Sequence, residues 1–319
     1  MKTILRCFAF AVALAPLVSA AQSYPTRAVR LMVPFPPGGA TDIIGRLVSA
    51  KMQEVWGQPV VVENRPGAGT VVGTDYVAKS APDGTTLGMV VTAYVINPSL
   101  RADLPYNTLK DLAGVTQVSV QHLVMAAHPS LPANSIPELI AFAKKNPGKL
   151  AYATPGSGTA MHLSVEMLKT SAGIDLVHVP YKGGAPAQQD VMAGRVPILM
   201  DVLYAVQPLI KAGRIKVLAL LSPQRAPESP EYPVVSESVP GVSALSLVGI
   251  VAPSATPRDL VNRISADIAR AVKSSDLTER MRQQGMEPIG STPEQFDSLI
   301  RSEIEKWAKV VKQSGAKVD

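Results

Sequence analysis

Val29-Arg30-Leu31-Met32-Val33-Pro34-Phe35-Pro36-Pro37-Gly38-Gly39-Ala40-Thr41-Asp42 is the stretch whose reading decides the fold. Its first five residues form a short apolar run with strand character. The prolines and glycines that follow make a tight loop, and Thr41 to Trp56 carries the 3.6-residue apolar period of a helix. A second strand, Pro59 to Asn64, comes at once. Strand, loop, helix, strand is the unit of a parallel sheet with helices packed on its faces.

The unit recurs along the chain. Gly69 to Ser80 reads as a helix, Thr86 to Val91 as a strand, Ser135 to Lys145 as a helix and Leu150 to Ala153 as a strand. A second block starts near His122 with the apolar strand Leu123 to Ala127. It continues through Met161 to Ala172, Val177 to Val179, Pro186 to Ala193, Ile198 to Met200 and Val217 to Leu221. Leu247 to Val251 is a further apolar strand, and helices over Arg258 to Ser274, Leu277 to Gln284 and Pro293 to Lys312 close the chain. A chain of 319 residues exceeds what one core usually holds, which favours two lobes. The expected division is 22–123 plus 250–319 for one lobe and 124–249 for the other, with Leu123–Ala127 and Leu247–Val251 as the paired crossover strands. Such a pair of α/β lobes leaves a cleft faced by the strand-to-helix loops, where open parallel sheets bind ligands.

At the N-terminus, Lys2 and Arg6 precede an apolar run from Phe8 to Val18 and the small residues Ser19, Ala20 and Ala21. This is the pattern of a secretory signal peptide over residues 1–21, cleaved after Ala20 or Ala21, and its apolar core is too short for a membrane span. The expected location is therefore periplasmic. The single cysteine, Cys7, lies inside that segment, so the mature chain has no disulfide, thiolate metal site or cysteine nucleophile. The formal charge of +6 falls to +4 when Lys2 and Arg6 leave with the signal, and no basic run interleaved with aromatics occurs. That argues against nucleic acid as a partner and is compatible with an anionic ligand.

Three loops are candidates for function. The first, Pro34 to Asp42, sends an extended, glycine-containing segment into a helix whose first amides lack partners within the helix. Such an end carries partial positive charge and binds anions without an arginine. The bland alternative is an ordinary strand-to-helix turn with Thr41 or Asp42 as N-cap. The second loop, Tyr152 to His162, repeats the arrangement and adds hydroxyls at Thr154, Ser157 and Thr159. The third, Val179 to Ala187, places Gly183 and Gly184 before a helix and contributes Lys182, read either as a counter-ion or as a solvated charge. Asp201 ends an apolar strand, where it either accepts hydrogen bonds from a ligand or caps the helix after it.

Enzymatic readings find little support. Ser157 has Pro155, where a nucleophile elbow needs glycine. A hydrolase built on Ser157 and His162 would lack a third group to orient the histidine. His162 and Glu166 stand one helical turn apart, a spacing able to hold a metal, but two ligands do not make a site and pairing on one helix face is the better reading. No phosphate-loop or dinucleotide spacing is present.

Several segments together resemble a known family. They are Tyr24-Pro25, the Pro34 to Asp42 loop, Val62-Glu63-Asn64-Arg65-Pro66-Gly67-Ala68-Gly69, Ala81-Pro82-Asp83-Gly84 and Ile96-Asn97-Pro98. Farther on come the Thr154 to His162 loop, Pro180-Tyr181-Lys182-Gly183, Asp201 and Trp307. In these the chain resembles the extracytoplasmic solute receptors of tripartite tricarboxylate transporters, the Bordetella uptake gene or Bug family, over essentially the whole mature length. The resemblance implies a type II periplasmic-binding-protein fold: two α/β lobes closing on a small organic carboxylate, aliphatic or aromatic, mono- or dicarboxylate. It implies delivery to the integral-membrane subunits of a tripartite transporter, no cofactor and no reaction, and we expect a monomer. Matched position by position, Phe35, Gly38, Gly39, Ala40 and Thr41 fall on the first binding loop, and Thr154, Gly156, Ser157, Gly158 and Thr159 on the second. Asp201 falls at the far end of the pocket, and Thr92 and Ala93 where the first lobe lines the cleft. The chain departs from the family at Leu247-Val248-Gly249, where an aromatic often precedes the glycine, and at Pro197, where an acidic residue is frequent. An alternative role for the same capture event is to report to the periplasmic domain of a sensor kinase.

Overall fold

The computed structural model describes residues 24–226 and 229–316. The signal-peptide reading, including Cys7, lies outside these residues. In chain order the elements are β1 (Val29–Val33), α1 (Ala40–Trp56), β2 (Val60–Asn64), α2 (Val71–Ala78), β3 (Thr86–Val91), α3 (Ala93–Leu100) and β4 (Leu112–Ala127). Then come α4 (Ile136–Lys145), β5 (Ala151–Thr154), α5 (Ala160–Ala172), β6 (Val177–Pro180), α6 (Gly184–Met192), β7 (Ile198–Val202), α7 (Leu203–Lys211) and β8 (Lys216–Leu220). The chain closes with β9 (Leu245–Pro253), α8 (Arg258–Val272), α9 (Ser275–Gln283), β10 (Met286–Pro288) and α10 (Pro293–Ser314).

The strands form one hydrogen-bonded path in the order β2-β1-β3-β9-β4-β7-β5-β6, with β8 and β10 also paired to β4. The strand-helix units read from sequence make the parallel parts: β1 lies between β2 and β3, and β5 between β6 and β7. The antiparallel joints sit in the middle. β4 pairs with β9 from Leu112 to His122, then with β7 and β8 from Leu123 to Ala127. One long strand thus belongs to two half-sheets. Its changeover falls at Leu123, and β9 starts beside it through the pair His122 with Leu245; Leu247–Val251, expected as the second crossover, pairs with β3 and the first part of β4, within the half-sheet of β1.

Apolar burial follows the same plan. Val29, Leu31, Ile44, Val48, Met89 and Ile264 pack together in the half-sheet of β1, while Ala187, Val191, Leu199, Val206 and Leu220 pack around β7. The C-terminal helix α10 lies against α3, β4 and α5 and so touches both halves, with Trp307 fully buried in the shared core. Burying aromatic and aliphatic side chains of this size contributes about 1.5–3 kcal/mol each, so α10 ties the two half-sheets together from behind.

Candidate functional site

In the first loop, the segment after β1 is anchored by the end of β2. Asn64 donates from Nδ2 to the Phe35 carbonyl and to Asp42 Oδ1, both at 2.9 Å. Asp42 is buried and also accepts from the Gly38 amide at 2.9 Å and from Arg46 Nε at 2.8 Å. The Arg46 guanidinium, with the Gly38 and Asn64 donors, holds its carboxyl down at about 2, against the opposing cost of burial. Neither Thr41 nor Asp42 is the N-cap of α1. Gly39 takes that position without a side-chain cap, and the Ile43 amide makes the first helical bond, to the Gly39 carbonyl. The amides of Ala40, Thr41 and Asp42 therefore have no partner within the helix.

The second loop is built from hydroxyls and an imidazole. Thr154, fully buried at the end of β5, places Oγ1 2.7 Å from His178 Nε2 and donates to the Gly156 carbonyl at 3.2 Å. Thr159 donates to the same carbonyl at 2.8 Å and caps α5 by accepting the His162 amide at 3.2 Å. Gly158 sits in the left-handed region at φ 74°, which its missing side chain permits, and its amide donates to His162 Nδ1 at 3.2 Å. What remains free of intrahelical partners is the pair of amides on Ala160 and Met161.

These two loops face one cavity of about 770 Å³, within the range of about 300–1,000 Å³ usual for small-molecule sites. Five helices give it residues from their N-terminal ends. Gly39 and Thr41 come from α1, Thr92 and Ala93 from α3, Thr159 to Met161 from α5, Gly183 to Ala185 from α6, and Val202, Tyr204 and Ala205 from α7. Among the described lining residues there is no lysine or arginine, and Asp201 is the one carboxylate. Helix starts are worth about 0.3–1 kcal/mol each to a nearby anion and up to about 2 when partly buried. Five together can replace a fixed cation.

Of the residues singled out from sequence, Phe35, Gly38, Gly39, Thr41, Thr92, Ala93, Thr159 and Asp201 line this cavity. Ala40 is the first residue of α1. Thr154, Gly156, Ser157 and Gly158 are not among the lining residues; Thr154 and Gly158 shape the loop from behind, and Ser157 is exposed. Lys182 is exposed and outside the lining, which suits a solvated charge; the third loop reaches the cavity through Gly183 and Gly184. Thr92 Oγ1 accepts the Leu247 amide at 3.0 Å and so joins the start of α3 to β9. Leu247 and Pro197, the two departures, do not line the cavity.

Asp201 is buried on β7, accepting from Gln188 Nε2 and from the Val202 amide, each at 2.8 Å. Burial pushes its carboxyl above the ordinary range, against those two hydrogen bonds. Gly184 allows this approach, because a Cβ there would stand 2.8 Å from Asp201 Oδ2. Sequence reasoning missed Gln188 and Tyr204, which flank Asp201 in the lining. Gln188 lies one turn into a helix whose glycine start was visible, so counting one turn onward from Gly184 would have found it.

A family model described as "Tripartite tricarboxylate transporter family receptor" matches residues 44–316. The chain is 37% identical to protein BugT of Bordetella pertussis over 301 residues, 93% of this chain and 92% of that protein. Among solved structures it resembles Rpa4515 of R. palustris with adipate, at TM-score 0.83 and 34% identity over 92% of this chain and all of that one. It also resembles MatC of Rhodopseudomonas palustris with bound malate, at TM-score 0.78 and 29% identity over 90% of this chain and all of that one. The fold is that of periplasmic solute-binding proteins.

Proposed function

This chain belongs to the tripartite tricarboxylate transporter family of receptors, and from that premise we propose that it captures a small organic carboxylate in the periplasm and hands it to the integral-membrane subunits of a tripartite transporter. The family is one of solute-binding proteins and not of enzymes. In this reading residues 1–21 are the export signal. The two lobes, 22–123 with 250–319 and 124–249, close on the ligand from the two half-sheets.

One observation carries the proposal. A single cavity is lined by the starts of five helices drawn from both half-sheets, and among the described lining residues there is no cationic side chain. Unpaired amides at helix starts favour negative charge, and a carboxylate offers the acceptor lone pairs they need. The ligand's contacts in this account are Phe35, the backbone of Gly38 to Thr41, Thr92 and Ala93 on one side, with Thr159 and Asp201 on the other. The adipate and malate of the two similar structures suggest the class, a carboxylate of about four to six carbons, a size that a cavity in the ordinary small-molecule range accommodates.

Isothermal titration calorimetry against a panel of aliphatic, hydroxylated and aromatic mono- and dicarboxylates tests this. At least one member is expected to bind with a dissociation constant of micromolar order, about −8 kcal/mol, while its uncharged amide binds far more weakly. A folded protein that binds no carboxylate, or binds acid and amide equally, contradicts the proposal.

A further inference from the structure

Behind the second loop lies a stack of three rings that no ligand contact explains. His162, in the first turn of α5, is 7% exposed and stacks on His178 of β6 with centroids 3.9 Å apart and planes at 8°. His178 stacks in turn on Tyr152 of β5 at 4.9 Å and 23°. The ring plane of His162 is thereby fixed, and its Nδ1 receives the Gly158 amide at 3.2 Å. Since Nδ1 accepts, the ring proton is assigned to Nε2, which lies 4.0 Å from Glu166 Oε1.

We propose that neutral His162 is a positioning residue for ligand capture: by accepting the Gly158 amide it sets the loop that delivers Thr159, Ala160 and Met161 to the cavity. The part of this concerning affinity rests on the function proposed above; the part concerning the loop does not. The geometry leaves no substitute acceptor in the imidazolium. A protonated ring carries N–H at both nitrogens, so Nδ1 and the Gly158 amide would confront each other as two donors. A cation there would also stand against the partial positive charge of the α5 start.

The surroundings keep the ring neutral at ordinary pH. The charged and titratable groups that face it are Lys169 and Glu166 on its own helix, His178 on β6 and Tyr152 on β5. Glu166 is already engaged, accepting from Tyr152 Oη at 2.6 Å and from Lys169 Nζ at 3.0 Å. Burial first, and Lys169 second, lower His162 to about 4. Burial also takes His178 to about 4, with His162 and Lys169 adding to the shift and Glu166 opposing it. The loop is thus preset through the neutral range and comes undone in acid.

The test compares wild type with His162→Asn, whose Oδ1 can stand where Nδ1 stands, and His162→Leu, which fills similar space without an acceptor. In the ligand-free, isotope-labelled protein, the Gly158 amide is expected to exchange slowly in wild type and His162→Asn, and about tenfold or more faster in His162→Leu, the scale of one lost buried hydrogen bond. The carboxylate from the panel that binds wild type should bind His162→Asn with near-normal affinity and His162→Leu about tenfold or more weakly. In wild type the Gly158 amide shift should move through the acid range in which His162 and the stacked His178 titrate together, and by clearly more than in His162→Asn, where His178 alone remains; this readout needs neither ligand nor His162→Leu. Because the carboxylate itself titrates in acid, the affinity profile is read as the difference between wild type and His162→Asn. Equal Gly158 protection in wild type and His162→Leu overturns the proposal, as does damage in His162→Asn matching that in His162→Leu, which would mark a packing role. If no carboxylate binds wild type, the capture reading fails, and the Gly158 measurements still decide whether His162 sets the loop.

Discussion

Asp42 shows how a residue beside the cavity serves the site without facing it. Its buried carboxylate accepts from Gly38, Asn64 and Arg46 and so fixes the first loop relative to β2 and α1. Asp42→Asn keeps the shape but removes the charge and an acceptor. It is expected to cost about 1–3 kcal/mol, the scale of a buried donor left unsatisfied, seen as a lower urea midpoint. The pH dependence follows from the sign of the shift. The folded-state value of about 2 lies below the ordinary carboxylate range, so the contribution is complete above about pH 4 and fades as the pH falls through 2. The stability gap between wild type and Asp42→Asn should therefore close over that interval. At this scale the sequence was informative about backbone and less so about side chains. The glycines and the helix starts announced the anion-facing loops, but whether Thr154 or Thr159 points outward depends on neighbours such as His178, from a strand 24 residues farther on.

Helix α5 is the element in which sequence, cap and cavity connect most tightly. Thr159 has an extended backbone at φ −77° and ψ 161°, the conformation that a following proline requires. Ala160→Pro should thus fit the first helical position, where no intrahelical bond is lost, while deleting one amide from the cavity wall. The expected result is a circular dichroism spectrum and melting temperature close to wild type with weaker carboxylate binding by calorimetry; unchanged affinity would move the anion away from α5. Elements with regular apolar periods were legible, including β1, α1 and the three closing helices. Others were not, and for β4, α3 and α7 the reasons are physical. β4 is longer than its apolar end Leu123–Ala127 because Thr116, Ser119 and Gln121 are buried polar residues, and register shifts at Gly114/Thr116 and Gln117/Ser119 break the alternation that marks a strand. Helices α3 and α7 each carry an internal proline, Pro98 and Pro208, which reads as a breaker in sequence and is tolerated here in short helices.

At the scale of the molecule, the cavity exists because two half-sheets share β4 and turn their strand ends toward each other. The order of strands and helices made the two-part plan readable, and the long antiparallel joint between β4 and β9 did not show in it, because antiparallel pairing between distant segments leaves no local signal. The binding account requires both halves at once: α1 and α3 belong to the half-sheet of β1, and α5, α6 and α7 to that of β7. A crystal structure of the protein with the tightest-binding carboxylate of the panel measures this most directly. The account predicts carboxylate oxygens about 2.7–3.2 Å from first-turn amides of both α1 and α5, with no lysine or arginine in contact. A carboxylate paired with a cationic side chain, or held by one half-sheet alone, would contradict it.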